Sequence, residues 1–146
     1  MLTYHSATYK IVKIFSITYG TIIMNDQETL VRIAAQGQLD AYNARSIDDF
    51  IKWYSEDIVL MTLEDGNVFC SGHEELRSRY GPMFDMNTQL HCKLQQRIVC
   101  GNFCFDEESV TGIHPEAIVH AVAIYEVIDG IIRRAWFVRD TIPHKK

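Results

Sequence analysis

From residue 28 onward the chain carries two hydrophobic rhythms, and the change from one to the other divides it into helical and extended parts. The apolar positions Leu30, Ile33, Ala34, Gly37, Ala41 and Ala44 recur at helical spacing. They predict one long amphipathic helix over 28–45, with Asn25 or Asp26 as its cap. Ser46-Ile47-Asp48-Asp49 has the form of a capping box, in which a hydroxyl and a carboxylate satisfy the free N–H groups of a first turn. A short helix through Phe50, Trp53 and Tyr54 is expected to follow. β-Branched and apolar residues then predict a strand over 58–63, a turn at Asp65-Gly66 and a returning strand over 68–70. Ser71-Gly72-His73-Glu74 reads as a second capping box. It opens a helix with Leu76 and Tyr80 on one face, which Gly81-Pro82 is expected to end or kink.

Beyond Asn87 the period shortens to two. Strands are predicted over 90–100 and 103–113 around Gly101-Asn102, and over 117–128 and 131–140 around Asp129-Gly130, both two-residue hairpin signals. Helices gathered at one end of the chain and long strands at the other indicate an α+β fold rather than alternating α/β. The expected architecture is a cone: a curved antiparallel sheet wrapped around a long N-terminal helix, with two shorter helices. A cone of this size leaves a pocket. One domain would span 24–142, with 143–146 as a tail.

The first 23 residues follow neither rhythm. No Asp or Glu precedes Asp26, and Lys10 and Lys13 flank an apolar, β-branched stretch ending in Thr21-Ile22-Ile23. Lys13 and Ser16 interrupt a stretch already shorter than the ~20 apolar residues that a membrane span needs, which argues against an anchor. The segment could instead supply an extra edge strand, or the native chain could begin at Met24, where Met24-Asn25-Asp26 opens a well-formed helix. We favour the start at Met24; either way residues 1–23 are expected to form a poorly ordered extension.

Composition narrows the function classes. With 146 residues, 47% of them apolar and 23% charged, the chain can bury a core without disulfides or a structural metal. A formal charge of −5 with no run of Lys or Arg excludes a nucleic-acid footprint. Cys70, Cys92, Cys100 and Cys104 form no CxxC and no zinc-finger spacing, so free buried thiols are expected. His91 and Cys92, adjacent on a strand, would point to opposite faces and could not chelate one ion. No dinucleotide-binding glycine pattern, P-loop or metal-ligand spacing occurs, so neither cofactor nor metal is expected. The expected setting is the cytoplasm, away from membranes.

Three motifs carry a resemblance. Gln38-Leu39-Asp40-Ala41-Tyr42-Asn43-Ala44-Arg45, with Phe50 and Trp53-Tyr54-Ser55-Glu56-Asp57-Ile58 after it, resembles the opening of the nuclear transport factor 2-like superfamily. Its SnoaL-like and ketosteroid-isomerase-like branch is the nearest. The likeness continues through Ser71-Gly72-His73-Glu74-Glu75-Leu76 and ends with Ala123-Ile124-Tyr125-Glu126-Val127-Ile128-Asp129-Gly130-Ile131-Ile132, so it covers about residues 25–142. It implies the cone fold and a homodimer through the sheet, and it is weak for chemistry, because such folds host many activities and none. Ketosteroid isomerases use a carboxylate base, a tyrosine and a protonated acid. Those positions fall here at Thr62, Gln38 and Val122, so that constellation is lost. Tyr54 and Tyr80 fall where the family places supporting tyrosines.

A register borrowed from the resemblance sets the expected pocket face. Phe103, Phe105 and Glu107 would share it with Ile118, His120, Val122 and Ile124. Leu60 and Thr62 would join from the first strand, and Ala135, Phe137 and Arg139 from the last. Gln38 and Tyr42 would add polar points to a mostly apolar cavity, the profile of a site for a small hydrophobic molecule. Glu107 and His120, on neighbouring strands, could form an acid–base pair that moves a proton on a bound carbonyl compound. Alternatively Glu107 faces water, because Asp106-Glu107-Glu108 is a run of three acids; a one-residue slip would put Asp106 and Glu108 inside. His73 is expected to be solvated, His91 to be exposed on its strand, His114 to sit in a turn and His144 in the tail. Trp53 and Tyr54 are expected to pack on the sheet. Trp136 would face outward and be covered by a second subunit. Two classes remain open: a cofactor-independent isomerase, cyclase or lyase, and a ligand- or partner-binding domain that kept the cone without catalysis.

Overall fold

A computed structural model describes residues 15–17, 20–22 and 26–143, with side chains from residue 27 to 143. Two short strands, β1 (Phe15–Ile17) and β2 (Gly20–Ile22), pair with each other and not with the main sheet. The remainder of the N-terminal segment and His144 in the tail lie outside the described residues.

Helix α1 (Asp26–Ala44) confirms the first rhythm but turns it by about one residue. The buried row is Val31, Ala34, Ala35, Gln38, Leu39 and Ala41, whereas Leu30 and Ile33 are exposed. A polar residue in the middle of the apolar stripe, Gln38, is what hides the true face in the sequence. Gly37 stands where the indole of Trp53 crosses the helix; a Cβ there would lie 2.0 Å from a ring carbon. Ser46 caps α2 (Ile47–Ile51): its hydroxyl accepts the Asp49 N–H at 3.4 Å and donates to the Asp49 carboxylate at 2.7 Å. The helix is shorter than expected. Trp53 lies in the turn after it, and Tyr54 already begins β3 (Tyr54–Thr62).

A tight turn leads to β4 (Val68–Ser71) and α3 (Gly72–Met86). Here the capping box is only half formed. The Ser71 side chain makes no cap bond, while Glu75, one residue later than expected, accepts the Ser71 N–H at 2.6 Å. Pro82 does not end the helix, which continues to Met86. The buried rings of Tyr80 and Phe84 pack on Phe50 at centroid distances of 5.0 and 5.5 Å, and that packing holds the last turns despite the missing N–H.

Four long strands complete the domain: β5 (His91–Cys100), β6 (Phe103–His114), β7 (Ala117–Ile128) and β8 (Ile131–Pro143). The main sheet has the order β4-β3-β8-β7-β6-β5, and its edges do not pair, so it is curved but unclosed. One expectation is corrected: β3 pairs with β8 in parallel, so the sheet is mixed rather than wholly antiparallel. Helix α1 packs across β5, β6, β7 and β8 and closes the inner face into a cone. Asn43 fastens its end to the edge strand, donating to the Cys92 carbonyl at 2.9 Å and accepting the Cys92 N–H at 2.7 Å. Gly112 (φ +85°) takes the sharp bend in β6; a Cβ there would stand 2.2 Å from the Gln89 carbonyl oxygen. Cys70, Cys92 and Cys104 are buried free thiols; Cys100, against expectation, is exposed.

Candidate functional site

Alternation along β6 and β7 decides what the cone contains. On β6, Cys104, Asp106, Glu108 and Val110 are buried against the helices. On β7, Val119, Ala121, Ala123, Tyr125 and Val127 are buried. The expected pocket register is therefore one residue out on both strands. Phe103, Phe105 and Glu107 lie on the outer face, as do Ile118, His120, Val122 and Ile124. Long-range partners hold this register: Arg97 reaches inward-facing Asp106 on β6, and Gln38 reaches inward-facing Tyr125 on β7. The register was right on β8, where Ala135 and Phe137 are buried inside and Trp136 faces outward. Glu107 and His120 do meet, with 3.0 Å between Oε1 and Nε2, but on the outer face and about half exposed.

Inside the cone is a cavity of about 330 Å³. Six expected lining residues reach it: Gln38, Tyr42, Tyr54, Tyr80, Phe137 and Arg139. Leu60 points inward but into solid core, and Thr62 turns to the β3–β4 loop, where its hydroxyl bonds the Asp65 carboxylate. His114, expected in a turn, ends β6 and lines the cavity, while His91 is exposed as expected. His73, expected to be solvated, is part-buried; its Nε2 lies 2.8 Å from the Tyr54 carbonyl oxygen and, as the donor, holds the start of β3 to α3.

The deep end is a tyrosine-lined wall organised by Gln38. Its amide nitrogen donates to the Ala35 carbonyl at 3.3 Å and to the Tyr125 hydroxyl at 3.0 Å. The Ala35 contact fixes which end of the amide is nitrogen. The amide oxygen then accepts from the Tyr54 hydroxyl at 3.1 Å. Because Tyr125 accepts from Gln38, its own O–H proton is left to point at whatever the cavity holds. Phe50 supports the wall from below, 4.9 Å from the Tyr54 ring and 6.1 Å from that of Tyr42. Burial raises the pKa of all four tyrosines that line the cavity, Tyr42, Tyr54, Tyr80 and Tyr125, so each stays a hydrogen-bond donor.

Two carboxylates from β6 point inward, and their fates differ. Asp106 is fully buried and takes a fork of hydrogen bonds from Arg97, Nε to Oδ1 at 2.7 Å and Nη2 to Oδ2 at 2.6 Å. Glu108, 7% exposed, lines the cavity, and among the described residues no cation stands within ion-pair distance of it. Its pKa is pushed up to about 7, first by burial and then by the charge of Asp106. A hydrogen bond from the Cys92 thiol and the guanidiniums of Arg97 and Arg139 hold it from rising further. Burial likewise pushes the Cys92 thiol up, so it remains a donor. A carboxylate poised near neutrality among phenolic donors can accept a proton from carbon and return it.

Sequence reasoning weighed Glu108 only as the outcome of a register slip, and did not single out Tyr125 or Arg79 at all. One signal was available: Ala121 and Ala123 are the only small residues repeated at alternate positions of β7, and they mark its inner face. Among the described residues no group of three or more His, Cys, Asp or Glu is placed to hold a metal ion.

The SnoaL-like domain profile matches residues 35–135. This chain belongs to that family. No curated protein matches it. Among solved structures, a cystatin-fold protein from Novosphingobium aromaticivorans is 23% identical with a TM-score of 0.68, over 75% of this chain and 97% of its own. A candidate polyketide cyclase from Bacillus cereus is 24% identical with a TM-score of 0.63, over 77% of this chain and 75% of its own. A candidate ketosteroid isomerase from Kribbella flavida is 15% identical with a TM-score of 0.62, over 81% and 83%. At these identities the likeness is one of fold. The SnoaL-like chain shares its fold with these proteins. Among the described residues no helix is long and apolar enough to cross a membrane.

Proposed function

We propose that this SnoaL-like protein is a cofactor-independent enzyme that moves a proton on a small hydrophobic carbonyl compound, with Glu108 as the base. The observation that carries this reading is a carboxylate buried in the cavity without a cationic partner, its pKa near 7. In the reaction the ionised Glu108 takes a proton from the carbon next to the carbonyl, and the electron pair moves onto the carbonyl oxygen. Tyr125, held by Gln38, donates its free O–H to that oxygen. The protonated Glu108 then returns the proton to the same carbon or to a conjugated one, and the enolate collapses. The polyketide cyclase and isomerase names of two structural neighbours belong to reactions of this general kind.

The outer face of the sheet, with Phe103, Phe105, Ile124 and Trp136, is the surface through which two copies would pair in a cytoplasmic homodimer. Glu107 and His120, on the outer face and outside the cavity, would take no part in the reaction.

The test is deuterium incorporation from D2O into hydrophobic ketones, followed by NMR, for the full chain and for Glu108→Gln. Catalysed exchange by the native chain that falls by roughly a hundredfold or more in the variant supports the reading. If ketones bind the native chain but no exchange occurs, the cone is a binding domain.

A further inference from the structure

The cavity has two ends of opposite character. Gln38, Tyr54 and Tyr125 close it at the deep end, with at most 4% of any of them exposed. At the other end the lining residues Arg79, His114, Arg139 and Thr141 are exposed, so this end is the mouth. Arg79 comes from α3 and Arg139 from β8, and the two guanidiniums stand on the Phe69 ring at 4.8 and 5.3 Å. Arg139 also stacks on Phe137 at 4.4 Å. Stacking fixes the plane of each guanidinium and removes much of the freedom that a long exposed side chain would otherwise lose on binding.

Among the described residues neither arginine forms an ion pair. This separates them from Arg97, which is committed to Asp106, and from Arg77, which reaches Asp48 at 2.8 Å. The chain carries a net charge of −5, so an acidic neighbour would be easy to find; two oriented guanidiniums at a cavity mouth without one are conspicuous.

We propose that Arg79 and Arg139 form a carboxylate-binding subsite at the mouth, so that the substrate is a hydrophobic keto acid entering carbonyl first. This rests on the reading of Glu108 as the base, and it names the substrate class. Two guanidinium forks suit the planar carboxylate. The ionised Glu108 opposes a second negative charge deep in the cavity, which orients the substrate with its acid group outward. A singly charged carboxylate meets less of that repulsion than a phosphate dianion would.

The test compares keto acids with their own amides, using a series of aryl keto acids of increasing chain length beginning with 4-oxo-4-phenylbutanoate and 4-oxo-4-phenylbutanamide. Affinities are measured by calorimetry on the full chain, with α-deuterium exchange followed on the same compounds. The native chain should bind at least one acid about tenfold or more tightly than its amide. Arg79→Gln and Arg139→Gln should each remove most of that preference while leaving the amide unchanged, and Arg139→Lys should restore part of it. Arg139→Gln should also move the pH midpoint of exchange upward, because the guanidinium favours ionised Glu108; a merely structural arginine would not do this. Equal affinity for acid and amide, binding of neither throughout the series, or a preference that survives the double variant would each overturn the proposal. Acid preference without exchange would leave the subsite standing and defeat the base. Exchange of acid and amide alike, without preference, would do the reverse.

Discussion

Glu107 and Glu108 are consecutive residues on one strand, and the sheet gives them different chemistries. Glu107 points to the outer face, is about half exposed and bonds His120 at 3.0 Å. Glu108 points into the cone, is buried, and has its proton held up to about pH 7 by loss of water. The side chains are identical, so the difference lies wholly in which face the register assigns to them. A carboxylate beside a histidine looks more like an acid–base pair than a lone glutamate does, yet solvent takes most of the force from the first and burial supplies it to the second. Asp106, two residues before Glu108 on the same inner face, sharpens the point. It is more deeply buried, but Arg97 has claimed it.

The largest expected effect separates the two glutamates directly. Glu108→Gln should lower proton transfer by about 10²- to 10⁴-fold, the usual range for removing a positioned base, whereas Glu107→Gln should leave the rate unchanged. Deuterium exchange into a bound ketone checks both. Next comes the contrast between the two inner acids. Asp106→Ala leaves part-buried Arg97 without its carboxylate and should destabilise the fold by about 3 kcal/mol in chemical denaturation, while Glu108→Gln should not destabilise it at neutral pH.

The third effect depends on pH. Between the ordinary glutamate range and pH 7 the folded protein keeps the Glu108 proton that the unfolded chain has released. Bound protons are then more numerous in the native state, so stability falls as pH rises through this window and the penalty is complete above pH 7. A shift of this size corresponds to about 3 kcal/mol, most of which Glu108→Gln should recover at pH 8 and none of which it should recover at pH 4. Denaturation midpoints across pH would show the native and variant curves converging in acid. The smallest effect belongs to the outer pair: His120→Ala, which removes one half-exposed contact to Glu107, should cost about 1 kcal/mol or less in chemical denaturation.

The fold was legible because its signals are local and redundant. Asp129-Gly130 and Gly101-Asn102 fix two hairpins, and Ser46 caps its helix as its spacing implies. The inner and outer faces of β6 and β7 were not legible, because both faces carry apolar residues and alternation alone cannot rank them. On β6 each face also receives acids, Asp106 and Glu108 on one side and Glu107 on the other. Apart from the small pair Ala121 and Ala123 on β7, only the long-range partners decide: Arg97 from β5 reaches Asp106, and Gln38 from α1 reaches Tyr125. On the helix the apolar periodicity passes over Gln38, and only the resemblance placed it in the pocket, where its tyrosine partners hold it. The parallel pairing of β3 with β8 joins residues far apart in the chain and leaves no short-range trace.

The most direct measurement is a carboxyl-carbon NMR titration of the glutamate-labelled chain, with Glu108→Gln providing the assignment. One glutamate should titrate near pH 7 and be missing from the variant. If every glutamate titrates between about pH 4 and 5, the ordinary range for this side chain, then Glu108 is not held from water and the proposed base is wrong.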